Sequence, residues 1–303
     1  MPKDLLSIAD LSYEEFDRLL TRGRQLKAGA QCQALRGKTV AMLFEKPSLR
    51  TRVSFDIAVH HLGGHPLYLG KDEVGLGQRE PVADVARVLE RYVQGVVARV
   101  FSHASLEELA RAASVPVINA LSDREHPCQA LADLMTVQER RGKLGGLTFA
   151  YVGDGNNVAH SLALGCALAG ASFVIASPSG YGLPGPLMER ASKLARSPGA
   201  QVHACSEPAE AVRGADVVYT DVWTSMGQEA EAQQRRRVFA GFQVDGVLLG
   251  RAAPGALFMH PMPAHYGEEV APGMLDHPQS VAYDQAENRL HIQKAILDLL
   301  LGP

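Results

Sequence analysis

Cysteine is scarce in this chain of 303 residues, and the four that occur are far apart, at positions 32, 128, 166 and 205. No C-x-x-C pair is present, so the sequence indicates neither a zinc knuckle nor a disulfide framework. Cysteines used in this way are typical of a reducing compartment. The first residues, MPKDLLSIADLSYEEF, contain no apolar segment like that of a secretory leader. We therefore expect a cytoplasmic protein.

Long hydrophobic runs and a strong excess of one charge are also missing. No run of 18 apolar residues occurs, and 30 basic residues nearly balance 33 acidic ones. The chain therefore has neither a typical transmembrane helix nor a basic field that would favour nucleic acid or an anionic membrane. The longest basic run, Arg235-Arg236-Arg237, is interpreted as a solvated helix face. Any anion must be held locally, and neither nucleic acid nor a membrane is an expected partner.

What the chain does contain is an alternation of short apolar or β-branched runs with longer stretches of helical periodicity. This pattern is typical of βα units wound around parallel sheets, and it occurs twice. The predicted strands cover residues 39–44, 67–69, 95–101, 115–119, 147–152, 172–176, 201–204, 215–219 and 256–259. The predicted helices lie near residues 50–62, 80–93, 105–113, 127–139, 157–169, 187–196, 206–213 and 287–300. The predicted fold class is α/β, with two doubly wound parallel-sheet domains joined by helices.

The two halves meet at a polar, glycine-rich segment, residues 140–146 (RRGKLGG). A chain of this length is expected to form about two domains, and such segments often separate them. We predict a first domain of residues 1–140 and a second of residues 141–286. In open α/β sheets, ligands bind at the carboxyl ends of the strands, so the chemistry is expected there.

The first candidate site is residues 44–52 (FEKPSLRTR), where a strand end runs into a helix. Ser48 is a plausible N-cap, and the free N–H groups of the first helical turn attract anions. Thr51 and either Arg50 or Arg52 add further donors for a phosphate. The alternative is a capped helix with surface arginines.

The second candidate site is residues 123–129 (DREHPCQ), which again follow a strand and open a helix. His126 and Gln129 lie close together across the first helical turn. A histidine at such a turn is more often a structural hydrogen-bonding group than a catalyst, and Cys128 is expected to pack rather than react. Arg99 interrupts a buried type of strand, where a cation needs an anionic partner unless its position is at an edge.

The third candidate site is residues 153–157 (GDGNN), directly after a predicted strand. It resembles a dinucleotide fingerprint, but Val158 replaces the third glycine and no acidic residue follows about 20 positions later. Two adjacent asparagines at a helix start instead suit a zwitterionic amino acid.

Two further loops follow strands in the second half. In residues 221–227 (DVWTSMG), a carboxylate beside hydroxyl groups suits an ammonium group, although a capped turn has the same composition. In residues 259–263 (MHPMP), two prolines stiffen a loop whose carbonyl groups are left to face a ligand or water.

Together these motifs resemble the aspartate/ornithine carbamoyltransferase family, most closely its ornithine-specific members. FEKPSLRTR is similar to the family's carbamoyl phosphate signature, HPCQ to its carbonyl-polarising turn, and DGNN and DVWTSMG to its ornithine site. DQAENRLH, residues 284–291, is similar to the start of the family's C-terminal helix. The match runs nearly end to end.

The resemblance implies transfer of the carbamoyl group from carbamoyl phosphate to the δ-amine of L-ornithine, giving L-citrulline and phosphate in arginine biosynthesis. It implies that residues 1–140 bind carbamoyl phosphate, that residues 141–286 bind ornithine, and that the C-terminal helix 287–303 returns to the first domain. It also implies a homotrimer, or a multiple of trimers, with shared active sites, and chemistry that needs neither cofactor nor metal.

The resemblance further implies the roles of individual residues. The catalytic residues are Arg50, Arg99, His126 and Met262. The substrate-binding residues are Ser48, Leu49 (through its backbone), Thr51, Gln129, Asn157, Asp221, Ser225, Met226, Pro261 and Arg289.

The chain departs from the family pattern at three places. Leu49 replaces a threonine that contributes mainly its backbone. The loop His260-Pro261-Met262-Pro263 replaces the H-C-L-P of ornithine enzymes and is nearer to the H-P-L-P of aspartate enzymes, so the usual thiol is missing. Gly75 stands where the loop that reaches the neighbouring active site often carries glutamine or histidine, and Gln78 is a possible substitute.

Other functions remain open. The His260-Pro261 loop is the one feature that favours aspartate as the acceptor, whereas a dicarboxylic substrate would require arginine where Asp221 stands. Carbamoylation of putrescine or of N-acylated ornithine is a further alternative, although Asp221 with Ser225 and Met226 favours a free α-amino acid. A nicotinamide-dependent dehydrogenase and a catalytically silent binding or regulatory homologue are the alternatives from other classes.

Overall fold

A computed structural model of the chain describes residues 1–302 and contains two compact units. Unit 1 comprises Met1–Met135 and the residues from Glu287 onward, and unit 2 comprises Thr136–Ala286. The chain passes from one unit to the other inside two helices, Pro127–Arg141 and Ala282–Leu301. The predicted boundary after residue 140 lies at the end of the first of these helices.

Unit 1 contains a four-stranded sheet whose strands are all parallel. The strands are β1 (Thr39–Phe44), β2 (His65–Gly70), β3 (Gly95–Arg99) and β4 (Val117–Leu121), in the spatial order β2-β1-β3-β4. The helices are α1 (Tyr13–Lys27), α2 (Leu49–His61), α3 (Lys71–Val74), α4 (Val82–Leu89), α5 (His103–Ala112) and α6 (Pro127–Arg141), with the last part of α12 (Ala282–Leu301).

The two central strands of unit 1 are buried almost throughout, as expected for parallel strands covered on both faces. Leu43 and Ala98 from these strands pack in one apolar cluster with Val85 of α4 and Leu106 of α5. In the register of the sheet, Phe44 at the end of β1 lies opposite Arg99 at the end of β3. The loops that follow these two strands therefore start side by side.

The first residues of the chain extend this sheet, which the sequence did not predict. The Leu5 N–H group donates to the Val117 carbonyl at 3.0 Å, and the Asn119 N–H group donates to the Leu5 carbonyl at 2.8 Å. This short parallel bridge covers the exposed edge of β4, where unpaired backbone groups would otherwise remain. Helix α1 also escaped prediction, although Ser12 and Glu15 form a capping box at its start.

Unit 2 contains a five-stranded parallel sheet in the order β7-β6-β5-β8-β9. Its strands are β5 (Thr148–Val152), β6 (Ser172–Ala176), β7 (Val202–Cys205), β8 (Val217–Thr220) and β9 (Leu257–Met259). Its own helices are α7 (Asn157–Ala169), α8 (Gly185–Leu194), α9 (Pro208–Ala211), α10 (Ala232–Val238) and α11 (Gly246–Leu249), and short 3₁₀ helices occur at Glu229–Glu231 and Met274–Asp276.

The register of this sheet brings three candidate loops to one edge. Val152 at the end of β5 lies opposite Thr220 at the end of β8, and Tyr219 of β8 lies opposite Met259 at the end of β9. The loops after β5, β8 and β9 are the predicted sites at residues 153–157, 221–227 and 260–263. Apolar side chains beneath them, including Ala150, Val218 and Phe258, form the core.

The predicted fold class is confirmed, including the return of the C-terminal helix to the first unit. Lys27 of α1 donates to Asn288 Oδ1 at 2.7 Å, and Arg22 of α1 pairs with Asp298. Each predicted strand is present: β1 and β6 have the predicted bounds, and the other seven differ at one or both ends. Strand β4 begins at Val117 rather than at residue 115, because Pro116 has no N–H group to contribute to the ladder.

Within the described residues, none of the helices combines the length and the apolar character that crossing a membrane requires.

Candidate active site

The start of α2 in unit 1 has a capping hydroxyl and backbone N–H groups of the kind that attract an anion. Ser48 is its N-cap, with an extended backbone (φ −162°), and its hydroxyl accepts a hydrogen bond from the Thr51 N–H at 3.3 Å. The Arg52 N–H donates to the Ser48 carbonyl at 3.1 Å, whereas the N–H groups of Leu49 and Arg50 have no carbonyl of the helix to donate to. The Leu49 side chain is 75% exposed, so this residue can offer its backbone while its side chain faces outward.

Three arginines from distant parts of the chain gather beside this helix start. Burial, together with the positive charges of Arg289 and Arg50, lowers the pKa of Arg99 to about 10. Burial also lowers the pKa of Arg50. The charged groups that shift the Arg99 pKa are thus other cations, and a bound anion would relieve their mutual repulsion. The three arginines that the resemblance assigns to carbamoyl phosphate therefore lie close enough to interact, and their individual roles stay predictions.

Thr51 and His126 complete the polar wall around these arginines. Arg289 Nη2 donates to the buried Thr51 hydroxyl at 2.6 Å. His126 is buried, and burial together with the charges of Arg289 and Arg99 holds its pKa well below the ordinary value of a histidine. Its imidazole is therefore neutral near pH 7 and can donate one hydrogen bond without adding a fourth cation.

The side-chain amide of Gln129 uses its nitrogen in a hydrogen bond, while its oxygen remains open to a donor. Its Nε2 donates to Asp133 Oδ1 at 2.8 Å, which orients the amide. Its Oε1 is buried and accepts no hydrogen bond from residues 1–302. A buried acceptor of this kind costs free energy unless a donor reaches it, so it suits the N–H groups of a bound amide.

The turn that carries His126 is braced by the N-terminal segment, which sequence analysis did not connect with the site. Glu125 accepts hydrogen bonds from the Ser7 hydroxyl and from the Ile8 N–H, the latter at 3.0 Å. Cys128 packs as expected: its Sγ lies 3.3 Å from the Asn119 carbonyl, and burial raises the pKa of its thiol to about 12. A thiol with that pKa is not a nucleophile at neutral pH.

In unit 2, Asn156 joins two of the predicted loops. Its Oδ1 caps α7 by accepting from the Val158 and Ala159 N–H groups at 2.9 and 3.1 Å, and its Nδ2 donates to Asp221 Oδ2 at 2.8 Å. Asn157, which the resemblance assigns to the substrate, is the first residue of α7. The sequence analysis placed Asn156 at a helix start without assigning it a cap, and its contact with Asp221 depends on the pairing of β5 with β8.

Asp221 is a buried carboxylate held from two sides. Besides Asn156, the Val222 N–H donates to its Oδ1 at 2.8 Å. Burial raises the pKa of Asp221, while His260 and these hydrogen bonds oppose the rise. In the loop that follows, the Ser225 N–H donates to Gln228 Oε1 at 3.0 Å and the Met226 side chain is exposed. The Asp221 carboxyl group is therefore held in one orientation at the edge of the sheet.

The interpretation of residues 235–237 as a solvated face is wrong for its first member. Arg236 and Arg237 are exposed, but Arg235 is buried and pairs with Asp154 at 2.9 Å. A guanidinium group tolerates burial when carboxylates and carbonyls satisfy it, and only the folded structure shows that they are near.

His260 organises the loop after β9. Its Nδ1 accepts from the Met262 N–H at 2.9 Å, and its Nε2 donates to Glu269 Oε1 at 3.1 Å, so the tautomer is fixed. Met262 has a positive φ of 54°, which a non-glycine residue adopts only when its surroundings hold it there. Pro261 is buried. That the Pro261 and Met262 carbonyl groups face a ligand stays a prediction.

The structure gives a separate reason for Gly155 in the fingerprint-like loop. A Cβ atom at this position would lie 2.6 Å from the Gly182 carbonyl carbon, and the Gly155 N–H donates to the Tyr181 carbonyl at 2.7 Å. In dinucleotide-binding loops the corresponding space admits the pyrophosphate. Here the chain's own backbone fills it, which argues against the nicotinamide alternative.

Two parallel-sheet units, each with polar groups at the carboxyl ends of its central strands, define the class as a two-domain α/β enzyme. Residues 3–139 match the sequence family described as aspartate/ornithine carbamoyltransferase, carbamoyl-P binding domain. Residues 145–300 match the Asp/Orn binding domain of the same description. The chain therefore belongs to the aspartate/ornithine carbamoyltransferase family.

Individual relatives are similar along nearly their whole length. The anabolic ornithine carbamoyltransferase of Pyrococcus furiosus is 50% identical, over 99% of this chain and 96% of that protein. The ornithine carbamoyltransferase of Bacillus subtilis is also 50% identical, over 99% of this chain and 94% of that protein. The crystal structure of ornithine carbamoyltransferase from Thermus thermophilus superposes with a TM-score of 0.91 at 49% identity, covering 99% of each chain.

Proposed function

We propose that this protein is an ornithine carbamoyltransferase, which transfers the carbamoyl group of carbamoyl phosphate to the δ-amine of L-ornithine and releases L-citrulline and phosphate in arginine biosynthesis. The observation that carries the proposal is the cluster of Arg50, Arg99 and Arg289 beside the start of α2, whose charges oppose one another. The relatives named above support the identity of both substrates.

Carbamoyl phosphate combines a dianion with an amide, and unit 1 offers matching groups for both. Ser48, Thr51, Arg50 and the Leu49 N–H bind the phosphate, because a helix start and guanidinium groups both favour negative charge. Gln129 accepts from the carbamoyl amide through its available Oε1. Arg289 holds Thr51 in place and adds a further positive charge.

The same groups lower the barrier to transfer. Attack on the carbamoyl carbon moves negative charge onto the carbonyl oxygen, where Arg99, neutral His126 and Thr51 donate hydrogen bonds. Phosphate then departs with charge that Arg50 and the helix start already neutralise. Donors held in position before the reaction need no reorganisation during it, so positioning and electrostatics account for most of the rate enhancement.

Ornithine is held by its α-amino and α-carboxylate groups in unit 2. Asp221 binds the ammonium group, and Asn157, Ser225 and Met226 hold the rest of the amino acid head, which leaves the δ-amine free to attack. An alkyl ammonium group has a pKa of about 10, so it first gives up one proton to solvent and attacks as the neutral amine. Once the amine nitrogen has bonded to the carbamoyl carbon it must release a second proton. Since no thiol stands at Pro261, we assign this second proton to the departing phosphate, while the Pro261 and Met262 carbonyl groups orient the amine.

We further propose a homotrimer, or a multiple of trimers, with active sites shared between chains, in the cytoplasm. Leu49, Val53 and Ile57 are 75%, 46% and 37% exposed and recur every four residues on α2, so they form one apolar stripe. A stripe of this kind beside a binding site suits contact with a second copy of the chain. No disulfide joins the four cysteines, all of which lie among the described residues, and this fits a reducing compartment.

The test of function is product formation from carbamoyl phosphate with L-ornithine, putrescine, N-acetylornithine and aspartate offered separately. Citrulline from ornithine alone is the expected result. Product from aspartate would mean that the His260-Pro261 loop outweighs Asp221 in choosing the acceptor. No product from any acceptor would mean that the protein is a catalytically silent homologue.

The test of the oligomer is sedimentation, which should give a mass of three chains or a multiple of three. Val53→Glu places a charge in the apolar stripe of α2 and should dissociate the oligomer. An active monomer would contradict the trimer.

A further inference from the structure

Arg235 of α10 stands at the junction of the loops that follow three strands of unit 2. Its Nη1 donates to Asp154 Oδ2 in the loop after β5 and to the Trp223 carbonyl in the loop after β8, each at 2.9 Å. Its guanidinium carbon lies 5.1 Å from the ring centre of Tyr181, in the loop after β6. The side chain is buried despite its charge.

These contacts hold Asp221 from two directions. On one side, the Asn156 N–H donates to the Asp154 carbonyl at 2.7 Å, and the Asn156 side chain in turn donates to Asp221. On the other side, Trp223 follows Asp221 by two positions and lies in the same loop, residues 221–227, as Ser225 and Met226. A shift of Arg235 would therefore move both the partner of Asp221 and the backbone next to it.

We propose that Arg235 is a positioning residue for the amino acid site: it holds Asp221 and the loop of Ser225 and Met226 in the arrangement that binds the head of ornithine. The inference rests on the proposed function and deepens it, because it names a residue that acts on the substrate through other groups. Arg235 also pairs through Nε with Glu231 at 2.9 Å, so one planar fork serves three acceptors. A lysine ammonium is a single point charge on a flexible stem and cannot reproduce that geometry.

The experiment compares Arg235→Gln and Arg235→Lys with Arg237→Gln, a substitution at an exposed position of the same helix. We expect KM for L-ornithine to rise tenfold or more in Arg235→Gln and less in Arg235→Lys, with KM for carbamoyl phosphate changed less than twofold. A merely structural role would instead lower kcat and both affinities in proportion to lost stability. Equal KM values for ornithine in all three variants would overturn the proposal.

A second readout does not depend on turnover. Trp223 is the only tryptophan and is 4% exposed, so acrylamide quenching of intrinsic fluorescence reports on this loop alone. Quenching should increase in Arg235→Gln and Arg235→Lys and stay unchanged in Arg237→Gln; unchanged quenching in all variants would contradict the positioning role. If the unaltered protein failed to carbamoylate ornithine, the proposed function would fall, and quenching would still decide whether Arg235 orders the loop. Arg235→Lys, which keeps the charge, serves both readouts if Arg235→Gln does not fold.

Discussion

Arg289 and Thr51 are 238 positions apart in the chain, yet Arg289 Nη2 donates to Thr51 Oγ1 at 2.6 Å and both side chains are buried. The bond ties the C-terminal helix to the first turn of α2 and places a cation beside the helix start that is proposed to bind an anion. A residue at the far end of the sequence thus belongs to the proposed carbamoyl phosphate site of unit 1.

Thr51→Val should weaken carbamoyl phosphate binding by at least tenfold. A hydrogen bond to a charged group contributes about 1.5–3 kcal/mol, and about 1.4 kcal/mol corresponds to a tenfold change in affinity. Thr51→Ser keeps the hydroxyl and serves as the control. Steady-state KM for carbamoyl phosphate measures the effect, and equal KM values in the two variants would show that the hydroxyl has no part in binding.

Arg50→Ala should abolish phosphate binding and nearly all activity. Burial and neighbouring cations make this guanidinium group strongly attractive to a dianion, and no other residue of the first turn of α2 replaces it. Arg52→Ala is the matched control, because the Arg52 guanidinium stacks on the ring of Tyr68, 3.8 Å from the ring centre. Thermal protection by inorganic phosphate distinguishes the two variants; near-normal activity of Arg50→Ala would remove the proposed phosphate site.

Asp221→Ala should mainly raise KM for L-ornithine. The change removes a carboxylate that is proposed to bind the α-ammonium group, and we expect a loss of about tenfold to a hundredfold in affinity, the range for hydrogen bonds between charged groups. KM for carbamoyl phosphate, measured with the same variant, is the internal control. A variant with unchanged ornithine affinity would require another partner for the ammonium group.

Stability should fall as the pH drops below about 6.5, and His126 should contribute to the loss. Burial holds the pKa of His126 well below its ordinary value, so the folded state leaves it neutral while the unfolded state binds a proton. The unfolded state then gains about 1.4 kcal/mol per pH unit from this one group until the folded-state pKa is reached. The pKa values of His103 and His291 are lowered by burial too, so a slope remains without His126.

His126→Gln should therefore reduce the acid slope of the free energy of unfolding without removing it. Urea titrations at several pH values between 7 and 5 measure the slope. His61→Gln, at an exposed position of α2, is the control and should leave the slope unchanged. Identical slopes in both variants would show that His126 takes up a proton as readily in the folded state as in the unfolded chain.

Pro261→Cys should change the pH dependence of kcat. The substitution adds a thiol that titrates above neutrality, with an ordinary pKa of about 8.5, at the position proposed to face the δ-amine. Pro261→Ser adds a hydroxyl that does not titrate in this range and is the control. Superimposable pH profiles for the two variants would indicate that the loop acts through its carbonyl groups alone.

Much of the fold, and the loops that form the proposed site in each unit, could be predicted from local sequence. Ser48 and Asn156 precede helices whose periodicity and caps are encoded by their immediate neighbours, and the strands before them are short apolar runs. Because the carboxyl ends of parallel strands share one edge, the loops at residues 48–52, 153–157 and 221–227 could be recognised as candidate sites before any contact was known.

The burial of Arg235 could not be predicted in this way. Its neighbours in sequence, Arg236 and Arg237, are exposed, and nothing in the run of three arginines distinguishes the first. Its environment is set by Asp154 and Trp223, which reach it only because β5 and β8 are adjacent in the sheet. The short N-terminal bridge to β4 could not be predicted either, because Leu5 lies in no recognisable strand and meets β4 only in the folded chain.

The sequence alone therefore determined the class of fold, the order of its strands along the chain and the residue types at each strand end. The tertiary structure decided which of those residues meet: Arg289 with Thr51, Asn156 with Asp221, and Arg235 with Asp154. The physical reason is the range of the interactions. Helix caps, turns and hydrophobic periodicity act over a few residues, whereas a buried charge is stable only beside partners that strand order and helix packing bring to it.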